Sequence, residues 1–232
     1  MDTQVALIID VADSRRIKGF AGQRDHLIET LSLRHRRNGW TDADYAVTAW
    51  DEFQGLVVAP ASLPALIWDL LLAVHPISLR IAIGGGAVER HTDQRLPINR
   101  AASGEAFFLA REAMDALRNP RRGAERARIA LHWNDSLVEA AGNAVLRLID
   151  VLVGRITRKQ WEVIAGYEQH RKQADVAAVL QKSESTVSRS LSSAHYWEIR
   201  SSLEDLASVL RHRLREDDVG SGDRGPTGGS AA

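Results

Sequence analysis

The sequence predicts an α+β chain: a first domain in which strands alternate with helices, then an all-helical unit that ends in two short helices around a tight polar turn. Two observations carry this reading. Val5-Ala-Leu-Ile-Ile-Asp-Val11 is an unbroken apolar run closing on an acid, as in a buried central strand whose polar end lies at the sheet's edge. Gln173 to Leu191 instead repeats apolar residues at helical spacing on either side of a short polar break. A length of 232 residues leaves room for both parts.

The first domain reads strand by strand. After the opening strand and a basic turn, His26, Leu27, Leu31 and Leu33 belong to a helix running to about Arg37, which Asn38-Gly39 stops. Tyr45 to Trp50 and Phe53 to Val58 are two strands separated only by Asp51-Glu52, hence a hairpin. Ser62 caps a helix through Val74 with Leu66, Ile67, Leu70 and Leu71 on its inner face. Leu79 to Gly84 is a fourth strand leading into the glycine run Gly84-Gly85-Gly86, and Arg80 alternates with inward Leu79 and Ile81 toward the surface. Gly104 to Arg118 is the next helix, and Ala127 to His132 the last strand.

The order β-α-β-β-α-β, with an added helix and strand, is the ferredoxin-like palm arrangement. In that topology the first strand runs antiparallel beside the third, so Asp10 meets the hairpin carrying Asp51 and Glu52. Carboxylates gathered from distant segments suit an octahedral Mg²⁺ or Mn²⁺ with phosphate ligands, and Asp13 lies just beyond the strand. Each acid also has a plainer role, Asp10 as a strand terminator and Asp51 and Glu52 as solvated turn residues. Gly84 and Gly85 read as a phosphate-facing loop.

The C-terminal unit reads as a helix-turn-helix. Thr157 caps a helix containing Trp161, Ile164, Ala165 and Glu168; Val176, Ala177 and Leu180 face inward from the next; Val187 and Leu191 share a face of the last. Ser183 is a natural N-cap. Glu184, Ser185, Thr186, Ser188 and Arg189 then stand on the first turns of a recognition helix, with Lys172 and Lys182 nearby, able to reach phosphates or base edges of double-stranded DNA. From Val151 to Arg200 eight basic residues face five acidic ones. Gln181 and Lys182 occupy the turn positions where a left-handed glycine and a buried aliphatic are usual. An ordinary helical hairpin packed on the first domain is the competing reading.

Composition sets outer bounds. Thirty basic and 30 acidic residues balance, which argues against indiscriminate coating of nucleic acid or membrane, so any DNA contact must be local. Without cysteine there is no disulfide, thiolate zinc site or cysteine nucleophile. The N-terminus carries no leader-like segment and no apolar stretch is membrane-length, so a cytoplasmic protein is expected. The expected divisions are a palm-like domain over 1–134, a connecting and dimerising helix over 135–154 rich in Val138, Ala141, Val145, Leu146, Leu148, Ile149 and Leu152, a helix-turn-helix domain over 155–215, and a disordered tail over 216–232. A homodimer follows from the pairing habit of both parts.

Ile9 to Arg15, Trp50 to Leu56, Leu79 to Gly86, Gly104 to Phe107 and Ala110 to Ala113 form blocks whose order and spacing resemble the bacterial SatD family over residues 4–200. The resemblance implies a palm akin to nucleotidyl cyclases and GGDEF proteins, joined to a C-terminal helix-turn-helix. It departs at Ile9 and Trp50, where glycines are usual, and at Phe108 and Glu112, where a cyclase has Asn and Arg; Arg111 lies one residue out of register and is assigned to ligand binding with Gly84 and Gly85. The reading is thus a bacterial transcription regulator whose palm-like part senses a nucleotide or other phosphate ligand or serves dimerisation. The alternative is a metal-dependent nucleotidyl-transfer enzyme with an accessory helix-turn-helix.

Overall fold

The computed structural model describes residues 3–90, 97–98, 102–120 and 127–222. Its centre is strand β1 (Gln4–Val11), the apolar run, with antiparallel neighbours on both sides: β3 (Glu52–Val57) and β4 (Leu79–Gly86). A two-residue β2 (Ala46–Val47) edges β3, and β7 (Ile129–Trp133) runs parallel to β4, giving the order β2-β3-β1-β4-β7. A small ribbon pairs β5 (Glu89–Arg90) with β6 (Ala102–Ser103).

Strand periodicity divides the sheet residues between two cores. Val5, Leu7, Ile9, Phe53, Ile81 and Ile83 face helices α1 (Phe20–Arg37) and α2 (Leu63–Val74), and the cluster is almost fully buried. Each such aliphatic side chain contributes about 1.5–3 kcal/mol of burial. The other face belongs to α3 (Glu105–Arg118), and it is built from small residues: Ala6 and Ala82 on the strands, Ala106, Ala110 and Ala113 on the helix. At Gly84 a Cβ would stand 2.0 Å from the Ala106 carbonyl oxygen and 2.3 Å from the Ala110 amide. Helix α3 therefore lies directly on the sheet backbone.

Five further helices follow among the described residues: α4 (Ser136–Val153), α5 (Arg158–His170), α6 (Gln173–Val179), α7 (Glu184–Ser193) and α8 (Tyr196–Gly222). Asp135 caps α4, and Thr157 with Gln160 forms a capping box on α5. The helical unit is built onto α2. Trp68 of α2 stacks on Trp161 with ring centroids 5.8 Å apart and shares one core with Ile149, Val176, Val187, Leu191, Tyr196 and Leu203. Leu206 and Leu210 of α8 return to the core of the sheet.

Several boundaries differ from expectation. Helix α1 begins at Phe20, six residues before His26, and Leu33 points to solvent. Glu52 belongs to β3, not to a turn, because the hairpin bends through Thr48 to Asp51, where the Glu52 carbonyl accepts from the Thr48 and Ala49 amides. The β4 strand continues through Gly86, so the glycines are buried strand residues rather than a loop. The Ser62 hydroxyl donates back to the Ala59 carbonyl instead of capping α2. The final strand is shifted to Ile129–Trp133. Ala165 is exposed. Helix α8 runs on to Gly222, past the expected tail boundary at 216, because each added residue extends an existing ladder at little cost; 223–232 lie outside the described residues. Among the described residues no helix is long and apolar enough to cross a membrane.

Candidate functional site

Pairing register explains why acids from separate segments meet at one end of the sheet. Asp10 pairs with Glu52 across β1 and β3, and with Arg80 across β1 and β4, so all three side chains share the α3 face. Helix α3 supplies the rest. Arg111 and Arg118 are seven residues apart, on one side of the helix, and the close seating of α3 lowers both onto the strand carboxylates.

The resulting cluster is fully interlocked. The Asp10 carboxylate accepts from Arg118 Nη2 at Oδ1 and from Arg80 Nη1 at Oδ2, both at 2.6 Å. Glu52 takes a two-pronged contact from Arg111 at 2.8 and 2.9 Å, with Thr48 Oγ1 at 2.7 Å and Arg118 Nη2 at 3.0 Å. Burial pushes the Glu52 pKa up, but hydrogen bonds from Arg111 and Thr48 and the charges of Arg111 and Arg118 outweigh it and hold the group below the usual carboxylate range. Arg111 moves up in turn, chiefly through its hydrogen bond to Glu52. The carboxylate side chains are 4% exposed, whereas the three guanidinium side chains are 35–43% exposed. Acids form the floor and arginines the rim.

Asp51 does not join this group. It stands one position before β3, and its carboxylate accepts from the Ser14 hydroxyl at 2.8 Å, because neighbouring residues along a strand point to opposite sides. Asp13 is exposed, at a left-handed φ of 55°. Among the described residues no group of three or more His, Asp or Glu side chains is arranged to hold a metal ion. The oxygens of Asp10 and Glu52 are directed at guanidinium or hydroxyl donors, a poor fit to Mg²⁺ or Mn²⁺.

Neighbouring expectations also shift. Trp50, where the resemblance leads one to expect glycine, is 56% exposed, packs near Phe20, and lies under the Arg24 guanidinium. Gly84 and Gly85 are tight because α3 and the Trp133 ring press on them. Phe108 and Glu112 face solvent. Local pattern does not single out Arg80 or Arg118 as site residues; the seven-residue interval from Arg111 along the Ala110, Ala113, Met114 and Leu117 face is the signal that points to Arg118.

The second polar surface is local in origin. Helices α6 and α7 meet at a turn in which Gln181 takes a left-handed φ of 51°, the conformation a glycine usually supplies, and the Lys182 amide donates to the Ala177 carbonyl. Ser183 caps α7 by accepting from the Thr186 amide at 3.2 Å. Val176, Val187 and Leu191 are fully buried beneath, leaving Lys172, Lys182, Glu184, Ser185, Thr186 and Arg189 exposed and Ser188 half-buried. Glu168 of α5 ties α5 and α8 to α2, accepting from Trp68 Nε1 at 2.6 Å and the Tyr196 hydroxyl at 3.0 Å, with Arg171 at 2.6 Å. Burial and the Glu168 charge push the Tyr196 pKa up.

Residues 4–204 match the SatD family. This chain belongs to the SatD family. The segment shared with the SatD family takes in both surfaces: Asp10, Glu52, Arg80, Arg111 and Arg118 of the cluster, and all of α6 and α7. No curated protein matches the chain.

Proposed function

We propose that this SatD family member is a DNA-binding transcription regulator in which α7 is the recognition helix. The observation that carries this reading is the outward face of α7. A helix that buries only Val187 and Leu191 offers Ser185, Thr186 and Arg189 on its first turns, small hydroxyls and one long cation suited to phosphates and base edges in a major groove. In the free protein Arg189 Nε rests on the Ser185 carbonyl at 3.2 Å, a contact that a base or phosphate acceptor replaces without distorting the helix. The strand order, with antiparallel neighbours on both sides of β1 and the α1 and α2 helices on one face, supports a ferredoxin-like palm as its partner domain.

Pairing of two copies fits the same function, because two half-sites multiply a single helix's modest affinity. Most of the apolar stripe expected for pairing on α4 is spent on the protein's own core: Val138, Leu146 and Ile149 are buried. What remains outside is Leu137, Ala144, Leu148 and Val151, with half-buried Ala141 between, at alternating steps of four and three residues that suit a seam against a second copy. Leu148→Glu is expected to convert a dimer to monomer in sedimentation equilibrium, and an unchanged mass rejects this face.

The DNA reading is tested by anisotropy titration of the full chain against fragments from its own genome at several salt concentrations. Binding is expected to fall steeply as salt rises, and Arg189→Ala to weaken it by about 1–3 kcal/mol where the arginine contacts guanine. Salt-independent binding, or no fragment retained by folded protein, rejects the reading.

A further inference from the structure

We propose that the cluster of Arg80, Arg111 and Arg118 is a receptor for a phosphate group, and that it works without a metal ion. The inference is independent of DNA binding by α7, since the two surfaces share no residue.

Charge comes first. Three guanidiniums stand over the two buried carboxylates Asp10 and Glu52, and the exposed Asp115, which also acts on Arg111, balances the third charge, so it is placement rather than net charge that favours an anion. Asp10 and Glu52 are almost fully covered and the arginines reach water, so a solute approaching over them meets cations first. All four carboxylate oxygens of Asp10 and Glu52 already accept from arginine donors, and the guanidiniums stand between them and an approaching divalent cation.

Donor inventory comes second. A guanidinium carries five N–H donors in one plane. Arg80 uses only Nη1, and Arg118 only Nη2, in the hydrogen bonds found among the described residues. Among the described residues, the outer edges of both and Nε of Arg111 make no such bond. A tetrahedral phosphate dianion has enough oxygens to take donors from more than one guanidinium, and planar forks suit it better than point-charge ammonium groups do.

Rigidity comes third. Long arginine side chains normally lose considerable freedom when they close on an anion. Here the carboxylates hold them from below, and α3 cannot drift because Gly84, Ala106 and Ala110 are in backbone contact. Asp10 and Glu52 thus position arginines and do not ligate metal. This reverses the expectation drawn from the same two acids in the sequence. The chemical class that fits is a phosphomonoester or pyrophosphate, free or at the end of a nucleotide.

Titration calorimetry of the full chain with inorganic pyrophosphate in EDTA is the direct test. Saturable one-site binding is expected, unchanged when Mg²⁺ replaces EDTA at matched free pyrophosphate. Arg80, which makes one hydrogen bond in the cluster, is the least structural member, so Arg80→Gln is expected to keep the melting temperature and weaken binding at least 10-fold, with Arg80→Lys between. Arg189→Ala, on the other surface, is expected to bind pyrophosphate as the wild type does. Absence of binding by folded wild type, equal affinity in Arg80→Gln, or binding that requires Mg²⁺ and disappears in Asp10→Asn each overturns the proposal.

Discussion

The two polar surfaces are made in opposite ways. On α7 the outward face is a run of neighbours, Glu184 to Arg189, oriented by one cap and two buried aliphatics. The arginine cluster draws on positions 10, 52, 80, 111 and 118, which only the sheet register and the seating of α3 bring together. The first is cheap to form and exposes uncharged hydroxyls. The second sinks two carboxylates, and it holds because each is matched by guanidinium donors at 2.6–3.0 Å. A local surface is specified by period; an assembled one is specified by packing.

The comparison breaks most readily in the core under α7. Leu191→Ala removes a fully buried side chain shared by the C-terminal helices and α2, and a loss of about 2–5 kcal/mol is expected in urea denaturation. Because α7 rests on this residue, DNA affinity is expected to fall while pyrophosphate binding persists at temperatures where the variant is folded. Simultaneous loss of both would show that the two surfaces do not behave as separately built units.

Gly84→Ala strikes the assembled surface without touching a charge. Its new methyl meets the α3 backbone, which has no soft side chain to yield, and about 1–3 kcal/mol of stability is expected to be lost. The displacement of α3 also carries Arg111 and Arg118 away from the strands, so pyrophosphate affinity is expected to drop in the same variant. Unchanged affinity in a destabilised Gly84→Ala protein would mean that the cluster tolerates a looser helix than the geometry implies.

The smallest effect is one of pH. Glu52 is held below its ordinary pKa, so its contribution to stability is present above the unfolded value of about 4.3 and is lost as pH falls through the folded one. Acid unfolding of the wild type is therefore expected to be steeper than that of Glu52→Gln, where this component is missing. Asp69, lowered against its own burial by hydrogen bonds from His35 and Arg34, adds to the acid sensitivity of both proteins and cancels in the comparison. Identical acid limbs would remove Glu52 from the account of stability.

Much of the chain was legible before any coordinates. Ser183 as a cap, Thr157 as a cap, the burial of Val187 and Leu191, the central position of the Val5 to Val11 strand and the packing role of Trp161 all follow from residues within one or two turns or strand periods of each other. Even the departure at Gln181 was visible, since the position needs a left-handed residue whatever occupies it. What local pattern did not reach was side. Asp51 and Glu52 are adjacent in sequence, yet one faces Ser14 and the other Arg111, and the length of the hairpin turn alone decides which.

The sequence by itself determined the periods, the caps and the approach of the first strand's acidic end to the hairpin, because these depend on backbone geometry and on burial of contiguous apolar runs. Only the tertiary structure decided that Arg80, Arg111 and Arg118 would close over Asp10 and Glu52, and that Trp68 would stack on Trp161 and join the helical unit to α2. The reason is physical: a charge's partner is set by distance in space. That distance was fixed here by one-residue register and by the absence of a single methyl group at Gly84.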